Sequence, residues 1–262
     1  KERDLHIAVI RTPKISNFTD FDCLAGEADV SLYYVTETKE LGQPDLILLP
    51  GSKNTTEDMM YLRDSGLESA IQTAVAKGTP LMGICGGYQM LGEEIRDPHH
   101  TESSYDGVKG MGLLEMTTTF SPEKLTSQVE ADCYDWPFLG TKISAAGLKG
   151  YEIHMGETSF TGTDDCHPLT ITRRAGETCA VTEGTGRADG LIFGTYIHGI
   201  FDHDEFRRQI LNALRQKKGL PPLTSTRSVA AEKQRSYDQL AAVVRRSLDM
   251  DKIRAIMGLG SK

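Results

Sequence analysis

Leu81-Met82-Gly83-Ile84-Cys85-Gly86-Gly87-Tyr88-Gln89-Met90-Leu91-Gly92 sets the reading of the whole chain. A short apolar run ends in a cysteine, two glycines follow at once, and a helix-compatible segment begins. A sharp strand-to-helix turn exposes a thiol, and its small neighbours let a carbonyl substrate approach the backbone. A helix N-terminus also carries partial positive charge, which favours a thiolate. An ordinary thiol is only a few per cent ionised at neutral pH, so the location matters. The turn predicts a nucleophilic Cys85 rather than an inert core cysteine.

Outward from this turn, apolar runs and helical patterns alternate, as in a mainly parallel sheet covered by helices on both faces, an α/β fold. Strands are predicted at 5–10, 31–35, 46–50, 80–84 and 191–196, and helices at 65–77, from 88, and at 203–217. Residues 96–110 are polar and read as a surface loop. Residues 112–182 read as β-rich and irregular, with short runs at 113–119 and 169–172. Pro221-Pro222 breaks the chain, and 236–257 returns to helical spacing with Leu240, Val243, Val244 and Leu248 on one side. The expected division is a main domain at 1–218 and a linker with a helical C-terminal tail at 219–262, packed on that domain or on a neighbour.

The 262 residues carry 29 basic and 37 acidic side chains, a net charge of −8. That balance argues against a nucleic acid or an anionic membrane as the main partner. No apolar run approaches the roughly 18 residues of a membrane span, and no signal peptide is visible. The five cysteines form no Cys-x-x-Cys pair, so free thiols in a reducing cytoplasm are the simplest reading. Cys23, Cys133, Cys166 and Cys179 read as spectators. The chain begins at Lys1 with a strand almost at once, which suggests a piece of something longer.

In open α/β sheets, ligands sit at the carboxyl ends of strands. Three such ends carry Gly51-Ser52, Cys85 and His198. Cys85 is the expected nucleophile, and His198 the base that activates it and the acid that protonates the leaving amine. Backbone N–H groups at Gly51 and Gly86 suit a developing oxyanion. The 50–55 segment also fits a turn and helix cap. It lacks phosphate-loop spacing, and no such motif occurs elsewhere, so ATP chemistry is not expected in this chain. Gln89, one turn after Cys85, and Ser52 are candidate substrate contacts, as are Tyr151, Glu152 and His154. Gln89 also fits a solvated helix position, and His154 is a rival base. Asp20 and Asp22 fit either turn formers or carboxylates that orient His198. His99, His100 and Glu102 lack metal-ligand spacing, and no metal is expected.

Gly83-Ile84-Cys85-Gly86-Gly87-Tyr88-Gln89 resembles the nucleophile elbow of class I glutamine amidotransferases. Further segments, Ile15-Ser16-Asn17-Phe18-Thr19-Asp20-Phe21-Asp22, Leu49-Pro50-Gly51-Ser52-Lys53-Asn54-Thr55, Gly150-Tyr151-Glu152-Ile153-His154-Met155-Gly156 and Tyr196-Ile197-His198-Gly199-Ile200-Phe201, resemble more narrowly the C-terminal glutaminase domain of the cobyric acid synthase family. The resemblance implies a flavodoxin-like fold and hydrolysis of glutamine through a thioester on Cys85. It implies ammonia delivery to a separate N-terminal synthetase domain, which uses ATP and Mg²⁺ to amidate carboxylates of adenosylcobyrinic acid a,c-diamide. Triad amidotransferases place a glutamate two residues after the histidine, where this chain has Ile200. Either a Cys85–His198 dyad works alone, or Asp22, Asp20 or Glu152 orients the imidazole. A poorly oriented imidazole predicts slow glutamine hydrolysis by the isolated domain. Other readings are the glutaminase partner of a ligase that amidates peptidoglycan (lipid II) glutamate, a cysteine hydrolase on the same scaffold, and a non-catalytic interaction domain.

Overall fold

A computed structural model describes residues 3–163, 165–224 and 227–259. Lys1 lies outside them. The chain divides into two compact units, 1–225 and 226–262.

A seven-stranded sheet organises the first unit. Its parallel strands run, across the sheet, Ile192–Thr195, Leu81–Ile84, Leu46–Leu49, Leu5–Ile10 and Val30–Val35. In chain order this is the flavodoxin-like 2-1-3-4-5 arrangement, with its switch point between the Leu5–Ile10 and Leu46–Leu49 strands. The expected α/β fold is the observed one. Leu46 to Leu49 and Leu81 to Ile84 are buried at every position, because a parallel strand covered on both faces has no solvent side. Ile47, Leu49 and Leu81 pack with Met59, Leu62, Leu67 and Ile71 of the Thr55–Asp64 and Leu67–Ala76 helices. Each such side chain contributes about 1.5–3 kcal/mol by leaving water.

A second sheet lies between the fourth and fifth parallel strands in sequence. The reading of short irregular runs is corrected here. Met116–Phe138 and Thr141–Phe160 are long antiparallel strands, joined by Leu139-Gly140. Register shifts between Ile143 and Ala145, Ala145 and Leu148, and Met155 and Glu157 break the alternation, so the period-2 signal fades over a continuous ribbon. The expected 96–110 loop is partly a hairpin of Glu94–Arg96 and Gly107–Lys109. The helix after Cys85 starts two residues earlier than read and runs Gly86–Leu91.

The segment after the Asp204–Lys217 helix belongs to the first unit, beyond the 218/219 boundary drawn from the sequence. Asn212 Nδ2 donates to Leu223 O (2.9 Å) and Leu223 N to Asn212 Oδ1 (2.9 Å). The second unit holds two helices, Val229–Ser247 and Met250–Ile256, where the spacing suggested one. Asp249 caps the latter by accepting from Lys252 N at 3.0 Å. Among the described residues no helix is long and apolar enough to cross a membrane.

Candidate active site

The Leu81–Ile84 strand ends at Cys85, whose backbone sits at φ 53°, ψ −111°. A non-glycine residue holds such a conformation only where its surroundings impose it, at a cost of order 1–3 kcal/mol. Cys85 N donates to Thr195 O (2.8 Å) and Gln89 N to Cys85 O (3.0 Å). These bonds pin the peptide on both sides and turn the side chain out of the sheet. The thiol donates to Ile153 O at 3.5 Å.

His198 follows the neighbouring Ile192–Thr195 strand and is fully buried. Its Nδ1–H donates to Asp20 Oδ2 (2.7 Å), and Gly199 N holds the other Asp20 oxygen (3.1 Å). Nε2 is left buried without a hydrogen-bond partner among the described residues. Burial opposes the charged imidazole, but Asp20 and then Cys85 outweigh it and raise His198 from 6.5 to about 9. The Tyr151 ring stacks on the imidazole with centroids 5.0 Å apart. Tyr151 N and O also exchange hydrogen bonds with His198 at 3.2 and 2.9 Å.

Gly51 and Gly86 bring main chain close to both side chains. A Cβ on Gly51 would meet His198 Cε1 at 3.2 Å, and one on Gly86 would meet Ser52 N at 2.8 Å. At Gly86 a side chain would collide with the Ser52 backbone, so glycine admits this approach of two backbone turns.

A cavity of about 380 Å³ opens at Cys85, bounded by Asn17, Ser52, Gln89, Glu102, Lys124 and His154. Gln89 is not solvated. It is buried, accepts from Thr55 Oγ1 (3.1 Å), and donates to Met155 O (3.2 Å) and Tyr196 OH (3.3 Å). Ser52 Oγ donates to Asp58 Oδ2 (2.5 Å) and accepts from Asn54 N (3.0 Å). His154 stacks on Tyr196, centroids 3.8 Å apart. Tyr151 stands behind His198 and takes the Asn17 amide on its hydroxyl at 2.7 Å.

Two expectations change. Asp22 is exposed and opens a short helix, Asp22–Ala25; Asp20, two residues earlier, faces the imidazole. Glu152 is absent from the cavity lining. Its carboxylate pairs with Arg174 at 3.0 and 3.2 Å. Of the three carboxylates named as candidates to orient the imidazole, Asp20 is the one that bonds it.

Sequence reasoning reaches Glu102 only as a rejected metal ligand. Asp97 accepts from the backbone N–H groups of Thr101, Glu102 and Ser103 at 2.6, 2.9 and 3.0 Å. This folds the loop inward. Glu102 then takes Thr55 N at 3.0 Å, and burial pushes its carboxyl up to about 7. His99 and His100 stay exposed. Only the Asp97 acceptor inside a polar run hints at this loop in the sequence.

The CobB/CobQ-like glutamine amidotransferase domain family matches residues 6–206. Cobyric acid synthase of Moorella thermoacetica is 46% identical over 257 residues, covering 98% of this chain and 49% of that protein. Cobyric acid synthase of Klebsiella pneumoniae is 47% identical over 262 residues, covering 97% and 49%. The chain thus spans about half the length of these curated relatives. Among solved structures, PurLQS from Thermotoga maritima superposes with a TM-score of 0.60 at 17% identity, covering 82% of this chain and 99% of that one. A crystal structure of a glutamine amidotransferase gives 0.53 at 16% identity, covering 79% and 98%. At these identities the two structures speak for the fold alone.

Proposed function

The chain belongs to the CobB/CobQ-like glutamine amidotransferase family, and from that membership we propose a glutaminase that works through Cys85, His198 and Asp20. The observation that carries the reading is a cysteine at φ 53° beside a buried histidine whose far nitrogen is held by a carboxylate at 2.7 Å. The thiol proton passes to His198 Nε2 and the sulfur attacks the side-chain carboxamide carbon of glutamine. The tetrahedral oxyanion lies toward the N–H groups of Gly51 and Gly86; losing one such donor costs about 10²–10³ in rate. As the C–N bond breaks, the imidazolium gives its proton to the departing ammonia. Water, deprotonated by the same imidazole, then cleaves the γ-glutamyl thioester and releases glutamate. Asp20 keeps Nδ1 protonated throughout, so that Nε2 is the nitrogen that exchanges protons.

The amino-acid end of glutamine is read as lying against Glu102, whose carboxyl has no cation of its own among the described residues. Ser52, Gln89 and His154 shape the cavity, and Tyr151 holds the histidine. No resident cofactor is assigned to this chain. Ammonia is proposed to pass to a separate N-terminal synthetase half, where ATP and Mg²⁺ would activate corrinoid carboxylates in cobalamin biosynthesis; in support, relatives named cobyric acid synthase are about twice as long as this chain. The peptidoglycan-ligase alternative is not favoured, since relatives named cobyric acid synthase match over 97–98% of the chain. Five irregularly spaced cysteines without a Cys-x-x-Cys pair suit a reducing cytoplasmic setting.

A glutamine-analogue electrophile tests the reading. It is expected to add once, at Cys85, with protection by glutamine and no addition to Cys85→Ala. Labelling that glutamine does not slow would overturn it.

A further inference from the structure

We propose that Glu183 is a positioning residue for the Cys85–His198 pair, acting by clamping the end of the strand that both depend on. The inference rests on the reading of those two residues as the reacting pair. Glu183 ends the Glu177–Glu183 strand of the second sheet, and the next strand, Thr185–Arg187, pairs with Ile192–Thr195 in the main sheet. It therefore stands where the chain crosses from one sheet to the other.

Its carboxylate is buried and has no Lys, Arg or His pairing with it among the described residues. Oε2 accepts from Thr195 Oγ1 and Oε1 from Tyr196 N, both at 2.6 Å. Tyr196 is the first residue past the strand end, where ladder partners run out. A charged acceptor there satisfies an N–H that would otherwise be orphaned.

Each bonded group leads to the site in one step. Thr195 O is the acceptor for Cys85 N at 2.8 Å, and Thr195 Oγ1 accepts from Ile197 N at 3.0 Å, one residue before His198. Tyr196 OH accepts from Gln89 at 3.3 Å and its ring supports His154. One carboxylate thus sets the peptide that holds the thiol and the peptide that leads to the imidazole. Burying a carboxylate without a cation is expensive, and burial pushes this one up to about 7. Its two oxygens let one side chain accept from Thr195 Oγ1 and Tyr196 N at once, and that acceptor geometry is what the clamp uses.

The test uses the full chain with Glu183→Ala, Glu183→Gln and Thr195→Val. Three quantities are read: the rate of Cys85 alkylation by iodoacetamide, kcat and KM for glutamine, and the melting temperature. Glu183→Ala is expected to slow alkylation and kcat together by about 10-fold or more, with KM changed less than about 3-fold, the signature of misplaced reacting groups rather than lost binding. Glu183→Gln keeps an acceptor for Tyr196 N and is expected to recover most of the loss. Thr195→Val is expected to resemble Glu183→Ala, and it carries the test if the alanine variant does not fold. The proposal is overturned if the folded variants keep alkylation and kcat within about 2-fold, or if KM moves as much as kcat. A wild-type chain whose Cys85 alkylates rapidly but never turns over glutamine would sink the glutaminase reading instead, with the clamp still judged by alkylation.

Discussion

At the residue scale the proposed site rests on Cys85, His198 and Asp20. The nucleophile and the histidine were legible in the sequence, because a residue at the end of an apolar run is a residue at the rim of a parallel sheet. The third member was not. Asp20 and Asp22 are equally acidic and two positions apart, and only the fold of the Phe18–Phe21 turn aims one of them at the imidazole. Asp20→Asn is expected to keep the chain folded and lower kcat for glutamine by about 10²–10⁴, because an amide can present its N–H to Nδ1 and so favour the wrong tautomer. The same contact shapes pH stability. A folded-state value near 9 against 6.5 means that the protonated imidazole stabilises the native state fully below pH 6.5. That contribution, shared between the Asp20 and Cys85 contacts and up to about 3 kcal/mol in all, fades as pH rises through 9. Asp20→Ala is therefore expected to lower the melting temperature much more at pH 6 than at pH 10.

At the element scale the loop between Asp97 and Asp106 decides the cavity. Its polarity marks it as surface in the sequence, and most of it is. Asp97 alone is fully buried, and its three backbone contacts bend the loop so that Glu102 reaches Thr55. Asp97→Ala should release the loop, raising KM for glutamine about 10-fold or more while kcat changes little, the pattern of lost ground-state binding. Glu102→Gln should raise KM likewise with the loop intact. It should also remove the rise of kcat/KM through pH 7, where burial sets the Glu102 carboxyl and the ionised form pairs with the substrate ammonium. A flat KM in both variants would remove Glu102 from the substrate site. The long ribbon strands teach a related lesson. Their bulges destroy the alternation that identifies a strand, so 116–160 read as fragments although the backbone pairs along most of its length.

At the scale of the whole molecule, a buried ionic network ties the segment after His198 to the segment after Asp20. Arg207 donates to Glu27 at 2.7 Å, and Arg208 to Asp29 at 3.0 and 3.1 Å and also to Glu27. Arg215 reaches Asp29 at 3.1 Å and Asp4 at 2.8 Å. Burial alone would raise Asp29, yet its bonds and charge contact with Arg208 hold it below the usual carboxylate range. Removing Arg208 leaves Glu27 with Arg207 and Asp29 with Arg215, each buried carboxylate short of one charged partner. Arg208→Ala is expected to destabilise the chain by about 3–5 kcal/mol, a fall of roughly 2–4 °C in melting temperature for each kcal/mol. A fall of only a degree or two would show the network to be ornamental. The amino-acid order by itself determined the strand-and-helix alternation, the cysteine elbow and the resemblance to a family, since these are local: apolar period, turn chemistry and contiguous motifs. Only the folded molecule decided which carboxylate meets the imidazole, which acid reaches the cavity and which one braces the strand. Asp20 and His198 are 178 positions apart, and contacts over such a span are chosen by how sheets and loops pack, which no stretch of neighbouring residues encodes.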